Sequence, residues 1–266
     1  MEHPSLQKSI IALGPWLETA AGQYVLAWEQ SRLDELTADI FGFNALQIGL
    51  PQVNALQANR MPHKWLSNGV FPNPGTAQPD AAPGDAGPAI LTVSVVHDFA
   101  ELPFASQSLD LVVLPHVLEF AAEPHQVLRE VERVLIPEGR LIVCGFNPAS
   151  LWGARQVVGR LSGAHFLPLD GEFIRISRMK DWLKLLNMEV DRGHFGCYAP
   201  PCTTDAWLKR YAFMEKAGDR WWPYLGAVYM MQAIKRVKGM RLIGPAWKHR
   251  PVVAAGAVPV TNRAEL

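Results

Sequence analysis

An open α/β fold, doubly wound around a mostly parallel sheet of seven strands and preceded by an N-terminal helical extension, is predicted by three observations. Continuous apolar runs of strand length recur along the chain, the pattern of strands buried on both faces. Segments with a helical period separate them, so the connections are crossovers and the strands run parallel. The 266 residues are 49% hydrophobic, enough to cover such a sheet on both sides.

Taken in order, Tyr24, Val25, Trp28, Leu33 and Leu36 recur at helical steps that stop near Gly42, so residues 1–42 form the helical extension. Asn44 to Gly49 and His63 to Leu66, bounded by Pro51, Pro62, Asn68 and Gly69, suit short strands with a helix between them. Residues 69–88 hold five Pro and four Gly with little apolar content and read as a flexible exposed insertion. Ile90 to Val96 and Leu109 to Leu114 are dense in β-branched and apolar residues and read as strands. From Pro124 to Leu135, Val127, Leu128, Val131, Val134 and Leu135 share one helical face, with Arg129, Glu130, Glu132 and Arg133 on the other. A turn at Pro137, Glu138 and Gly139 leads into a strand from Arg140 to Phe146. Ser177 to Leu186 reads as helix, Met188 to Phe195 as strand, Thr203 to Lys216 as helix and Gly226 to Val237 as a final strand. The main domain so outlined spans residues 43–244, and residues 245–266 form a tail without a period.

Twenty-five basic residues balance 25 acidic ones, yet residues 220–264 hold eight Lys/Arg and no acid. Residues 220–250 therefore offer a positive patch for nucleic acid or another anionic surface, ranked behind the simpler reading that it rests against the acidic remainder. Trp221, Trp222 and Tyr224 beside it read first as core and second as a lid or lipid contact. Cys144, Cys197 and Cys202 give an odd count without a C-x-x-C pair, which points away from a disulfide framework and toward a reducing cytoplasm. The start lacks the basic region of a signal peptide, and no apolar run reaches the length of a membrane span. The scattered histidines form no H-E-x-x-H, so no metal is expected. Neither a G-x-S-x-G elbow nor a phosphate-binding G-x-x-x-x-G-K-[ST] loop occurs.

The segment Asp98 to Val143 contains D-F-A-E-L-P-F, then S-L-D-L-V-V-L-P-H-V-L-E-F, then P-H-Q-V-L-R-E-V-E-R-V-L-I-P-E-G-R-L-I-V. These blocks, in this order, resemble the type 11 branch of the class I S-adenosylmethionine-dependent methyltransferases, and the likeness extends more loosely over residues 40–237. The resemblance implies a Rossmann-like sheet, S-adenosylmethionine as cofactor and a small-molecule methyl acceptor, with residues 147–225 as the variable cover over the substrate. It places Asp98 as acceptor for the adenine amino group, with His97 beside it and the Phe99 backbone N–H on the neighbouring ring nitrogen. Pro115 and His116 would face the methionine end and the acceptor. His116 is also the candidate catalytic base, since imidazole titrates near neutral pH, and Glu119 three residues on either orients it or caps the helix.

At the first strand the chain departs from the family, whose acid and G-x-G-x-G turn correspond here to Gln47, Ile48, Gly49, Leu50, Pro51, Gln52 and Val53. Gln47 stands for the acid, Gly49 is the retained glycine and Leu50 its neighbour on the cofactor. Asn68 is the nearest match to the acid that holds the ribose hydroxyls. The altered turn leaves an alternative function, a catalytically inactive methyltransferase-like binding or scaffold protein.

Overall fold

The computed structural model describes residues 13–68, 95, 96, 99, 101–162, 166, 167 and 173–237. Its sheet has seven strands in the order β3-β2-β1-β4-β5-β7-β6, as the sequence predicts in number. β1 (Asn44–Ile48), β2 (His63–Asn68), β3 (Val95–Val96), β4 (Leu109–Pro115) and β5 (Leu135–Phe146) are parallel neighbours. β7 (Val228–Lys235) inserts antiparallel between β5 and β6 (Met188–Gly196). The strand order reverses between β1 and β4, so the ligand-binding crevice of this architecture falls at their carboxyl ends.

Side chains alternate into two cores. Leu111 and Val113 of β4, Ile142, Cys144 and Phe146 of β5, and Val228 and Met230 of β7 enter one layer. Val112 and Leu114, Leu141 and Val143, and Tyr229 and Met231 enter the other. Burial on both faces explains why these strands read as unbroken apolar runs. The first layer is covered by the helical residues 13–17, by α1 (Ala20–Ala38) and by Trp152 of α3 (Leu151–Ser162). The second is covered by α2 (Pro124–Val134) and α4 (Ile176–Leu185). The Thr19 hydroxyl caps α1 by accepting the Gly22 N–H at 3.2 Å.

Three elements differ from the sequence reading. No helix forms between β1 and β2: residues 49–62 cross over as successive turns, with Pro51 and Pro62 removing two backbone donors and Gln47 engaging the loop's own backbone. The turn at Pro137 to Gly139 survives as a bulge at the start of β5, where Glu138 has φ +64° and the β4 pairing jumps from Leu109–Leu135 to Leu111–Arg140. The helix expected from Thr203 to Lys216 is two, α5 (Asp205–Arg210) and α6 (Phe213–Trp221). The insertion 69–88, residues 90–94, His97, Asp98 and the tail 245–266 lie outside the described residues.

Candidate functional site

The register brings the strand ends together. Ile48 lies beside Ser67, Ser67 beside Val95, and Pro115 beside Cys144, so Gly49, Asn68, Phe99, Pro115 and His116 follow one carboxyl edge. At the opposite edge a shallow cavity lies between Ile40, Asp110, Gly139 and Arg140. There the Asp110 carboxylate accepts the Phe43 and Asn44 N–H groups at 3.0 and 2.9 Å, which is a loop anchor.

The turn after β1 is organised by Gln47, which is fully buried. Its amide nitrogen donates toward the carbonyls of Gly49, Leu50 and Val53 at 3.2, 3.1 and 2.7 Å, and its oxygen accepts the Ala55 N–H at 2.9 Å. A carboxylate could not do this, because it only accepts. The amide that replaces the family's acid thus closes the loop upon itself. Leu50, Val53, Ala55 and Leu56 consequently point into the first core.

Gly49 leads into this turn at φ +73° and donates its N–H to the Ser67 carbonyl at 2.7 Å. A Cβ built on it would stand 3.1 Å from Val117 Cγ2 and 3.9 Å from Phe99 Cζ. A positive φ and the nearness of Val117 therefore both favour glycine where the end of β1 packs against Val117 and Phe99. Leu50, at φ +46°, holds a left-handed conformation without glycine's freedom, a strained feature of the kind that gathers at binding edges.

His116 occupies the opposite wall. It turns the chain out of β4 at φ +55°, with its N–H donated to the Cys144 carbonyl at 3.1 Å. Its imidazole packs on Phe146 with ring centroids 4.3 Å apart. Nε2 lies 2.7 Å from Glu29 Oε1 of α1, and Nδ1 lies 2.9 Å from Glu119 Oε2. The other Glu119 oxygen accepts the Phe146 N–H at 2.5 Å. Glu29 Oε2 is buried and has no hydrogen-bond partner among the described residues. Burial alone would push the ring down, but the carboxylates of Glu29 and Glu119 outweigh it and raise His116 to about 10. The result is a buried imidazolium held between two acidic side chains, with burial also raising Glu119 above the usual carboxylate range. Both ring nitrogens carry protons in this form, so the ring acts as a base only after it has given one of them up.

Asn68 ends β2 opposite Val96, half-buried, while Phe99 is buried against the second core. Glu29 is the site residue that sequence reasoning missed. Its signal was an acid inside the spacing Val25, Glu29, Leu33, Leu36, where an apolar residue would complete the buried stripe. Trp221 and Tyr224, read first as core, are 74% and 69% exposed. No group of His, Cys, Asp and Glu suited to a metal ion occurs among the described residues.

Known proteins bear on this edge in two ways. Residues 77–143 match the family described as Methyltransferase domain. The uncharacterized protein YafS of Escherichia coli (strain K12) is 42% identical over 100 residues, which cover 38% of this chain and 41% of YafS, less than half that protein's length. Among solved structures, a chain from a Haloferax volcanii complex with the Trm112 methyltransferase activator superposes with TM-score 0.56 at 16% identity, covering 88% of this chain and 98% of that one. An S-adenosylmethionine-dependent methyltransferase from Thermotoga maritima superposes with TM-score 0.55 at 13% identity, covering 80% and 92%. At these identities the superpositions establish a shared fold.

Proposed function

We propose that the chain is a class I methyltransferase that transfers the methyl group of S-adenosylmethionine to a small-molecule acceptor at the carboxyl edge of β1 to β4, a reading supported by the match of residues 77–143 to the Methyltransferase domain family and by the strand order. The observation that carries this reading is Gly49 at the carboxyl end of β1, a positive-φ glycine packed so close to Val117 that a Cβ would crowd it. Bound there, S-adenosylmethionine supplies an electrophilic methyl carbon and a thioether leaving group. The residues present fit that ligand at the β1 turn, where Gly49 permits close backbone approach and Gln47 fixes the loop around it.

In this reading Asp98 accepts from the adenine amino group, the Phe99 N–H meets the adjacent ring nitrogen, and His97 flanks them. Asn68 offers one acceptor and one pair of donors to the ribose hydroxyls, a weaker hold than a carboxylate. The backbone at Leu50 and Pro115 borders the methionine end, the Leu50 side chain being turned into the first core. His116 is assigned first a positioning role, holding Glu29 and Glu119 in place; general-base action by its ring requires that the Nε2 proton pass to Glu29 and that this contact then open to the acceptor. Exclusion of water under α1 and alignment of the acceptor then supply the rate, since methyl transfer needs no nucleophile from the protein. Free cysteines at 144, 197 and 202 suit a reducing cytoplasm. Nothing in the sheet or the comparisons favours the scaffold alternative.

Calorimetric titration with S-adenosylmethionine and S-adenosylhomocysteine tests the reading. Gly49→Val and Asp98→Ala are each expected to weaken binding by about tenfold or more, equivalent to about 1.4 kcal/mol. Absence of binding at millimolar ligand by a folded protein, or tight binding indifferent to both substitutions, overturns it.

A further inference from the structure

The segment that follows β6 presents an aromatic and cationic surface that the methyl-transfer reading leaves unused. Trp207, Phe213, Trp221, Tyr224 and Leu225, all large and apolar, are each about half exposed or more, with Phe213 at 66% and Trp221 at 74%. Soluble proteins scatter such residues singly, whereas a concentration in 19 residues marks a surface that meets something apolar. The rings adjoin one another: Trp207 stacks on Tyr211 with centroids 6.0 Å apart, and Tyr211 lies 6.4 Å from Phe213.

α6 sorts its charges by face. With about 100° of turn per residue, Phe213, Lys216, Arg220 and Trp221 fall within about 140° of one another, while Glu215, Gly218 and Asp219 fall opposite. The structure agrees: Glu215 turns inward to the Tyr24 hydroxyl and the Tyr198 N–H, and the bare Gly218 lies directly on the Tyr198 ring. On α5, Asp205 is neutralised by Lys209 at 2.6 Å, and Arg210 lies over the Trp207 ring at 5.4 Å. Of the three acids in this segment, Asp205 is paired with Lys209, Glu215 is turned inward, and Asp219 is exposed on the side of α6 away from Phe213 and Trp221. The outer face carries rings and cations.

Aromatic rings beside Lys and Arg are the combination that suits the headgroup level of an anionic bilayer, where rings enter the acyl boundary and cations meet phosphates. We infer that the α5 to Leu225 surface docks the protein onto an anionic lipid bilayer. The charge pattern selects this occupant. A second copy of the chain would bring Arg210, Lys216 and Arg220 against their own likeness, and an uncharged apolar partner would leave them desolvated without counter-charge. No helix among the described residues is long and apolar enough to cross a membrane, so the attachment is peripheral and reversible. The docking is independent of cofactor binding.

Co-sedimentation of the full chain with phosphatidylcholine vesicles, with and without phosphatidylglycerol, tests the inference at low and high salt. Binding is expected only to the vesicles with phosphatidylglycerol, weakened by salt. It should also fall about tenfold or more in Phe213→Ser/Trp221→Ser and several-fold in Lys216→Glu/Arg220→Glu. Circular dichroism should show the α6 variants folded, since Phe213, Lys216, Arg220 and Trp221 are exposed. Three outcomes overturn the inference. One is no binding to either vesicle. Another is binding abolished by Arg241→Glu/Lys248→Glu but untouched by the α6 variants, which assigns it to the basic tail. The third is self-association in sedimentation velocity that Phe213→Ser/Trp221→Ser abolishes, which assigns the surface to a dimer.

Discussion

β4, β5 and β7 are ordered by apolar alternation, and the pairing of β5 with β7 runs without a break from Arg140–Ile234 to Phe146–Val228. β1 and β2 are joined instead by residues 49–62, a crossover without a helix, whose order comes from single polar side chains. Gln47 serves four backbone groups of that loop. The Asn59 amide donates to the Thr37 and Ile40 carbonyls at 2.9 and 3.1 Å, tying the loop to the end of α1. Gln30 of α1 donates to the Asn54 carbonyl at 2.8 Å. A buried irregular segment must satisfy its backbone groups one at a time. The comparison teaches that one half should be sensitive to side-chain volume and the other to hydrogen-bonding chemistry, with the proposed cofactor edge on the seam.

The strongest break in this comparison comes at Glu29. Glu29→Ala leaves the buried Nε2–H of a charged ring without its acceptor and is expected to cost about 3 kcal/mol, the upper end for a stranded buried donor because the group is charged. Chemical denaturation of the two proteins measures it, with Leu128→Ala in the apolar half as the reference at about 2–5 kcal/mol. The same ion pair predicts a pH signature. His116 is raised in the folded state to about 10, above the unfolded value of 6.5, so the native protein binds more protons between those limits. The stabilisation is complete below pH 6.5 and is lost as pH rises toward 10. Denaturation midpoints measured across that window should fall in the wild type and stay flatter in Glu29→Gln; equal slopes would show that the ring carries no extra proton.

A smaller effect is expected at Gln47. Gln47→Glu restores the family's residue type, yet a carboxylate there faces the carbonyls of Gly49, Leu50 and Val53 with no donor for them. Loss of the donor in a buried loop is expected to destabilise by about 1–3 kcal/mol, read as a lower denaturation midpoint. A neutral or stabilising result would mean that the loop opens to the family's form, which a calorimetric gain in S-adenosylhomocysteine affinity would reveal.

The apolar half was legible in the sequence because period alone determines it. Val127, Leu128, Val131 and Val134 have a helical spacing, and all four are buried in α2. The carboxyl edge was legible as a set of positions, since Gly49, Asn68, Pro115 and His116 end their strands or directly follow them. Its bonding was not. Glu29 and His116 are 87 residues apart, and only the seating of α1 brings them within 2.7 Å. Gln47 looked like a lost acid because its function depends on the path of the next eight residues, which no local pattern specifies. Trp221 and Tyr224 were read as core on average preference, while their neighbours Lys216 and Arg220 carried the sign that this face looks outward.

The smallest expected effect uses one backbone anomaly found in both halves. Gln107, exposed at the turn into β4, has φ +55°, and buried Leu50 has φ +46°. Left-handed backbone costs a non-glycine residue about 1–2 kcal/mol, while glycine brings an entropic penalty of about 0.5–1 kcal/mol. Gln107→Gly should therefore stabilise by a few tenths up to about 1 kcal/mol, since the exposed side chain contributes little packing. Leu50→Gly gains the same relief but removes a leucine from the first core, at a cost of about 2–5 kcal/mol by analogy with leucine truncations. Opposite signs in denaturation midpoints are thus expected from one kind of substitution. Stabilisation by both would mean that Leu50 contributes little to the core, and that the turn at the proposed cofactor edge is held by Gln47 alone.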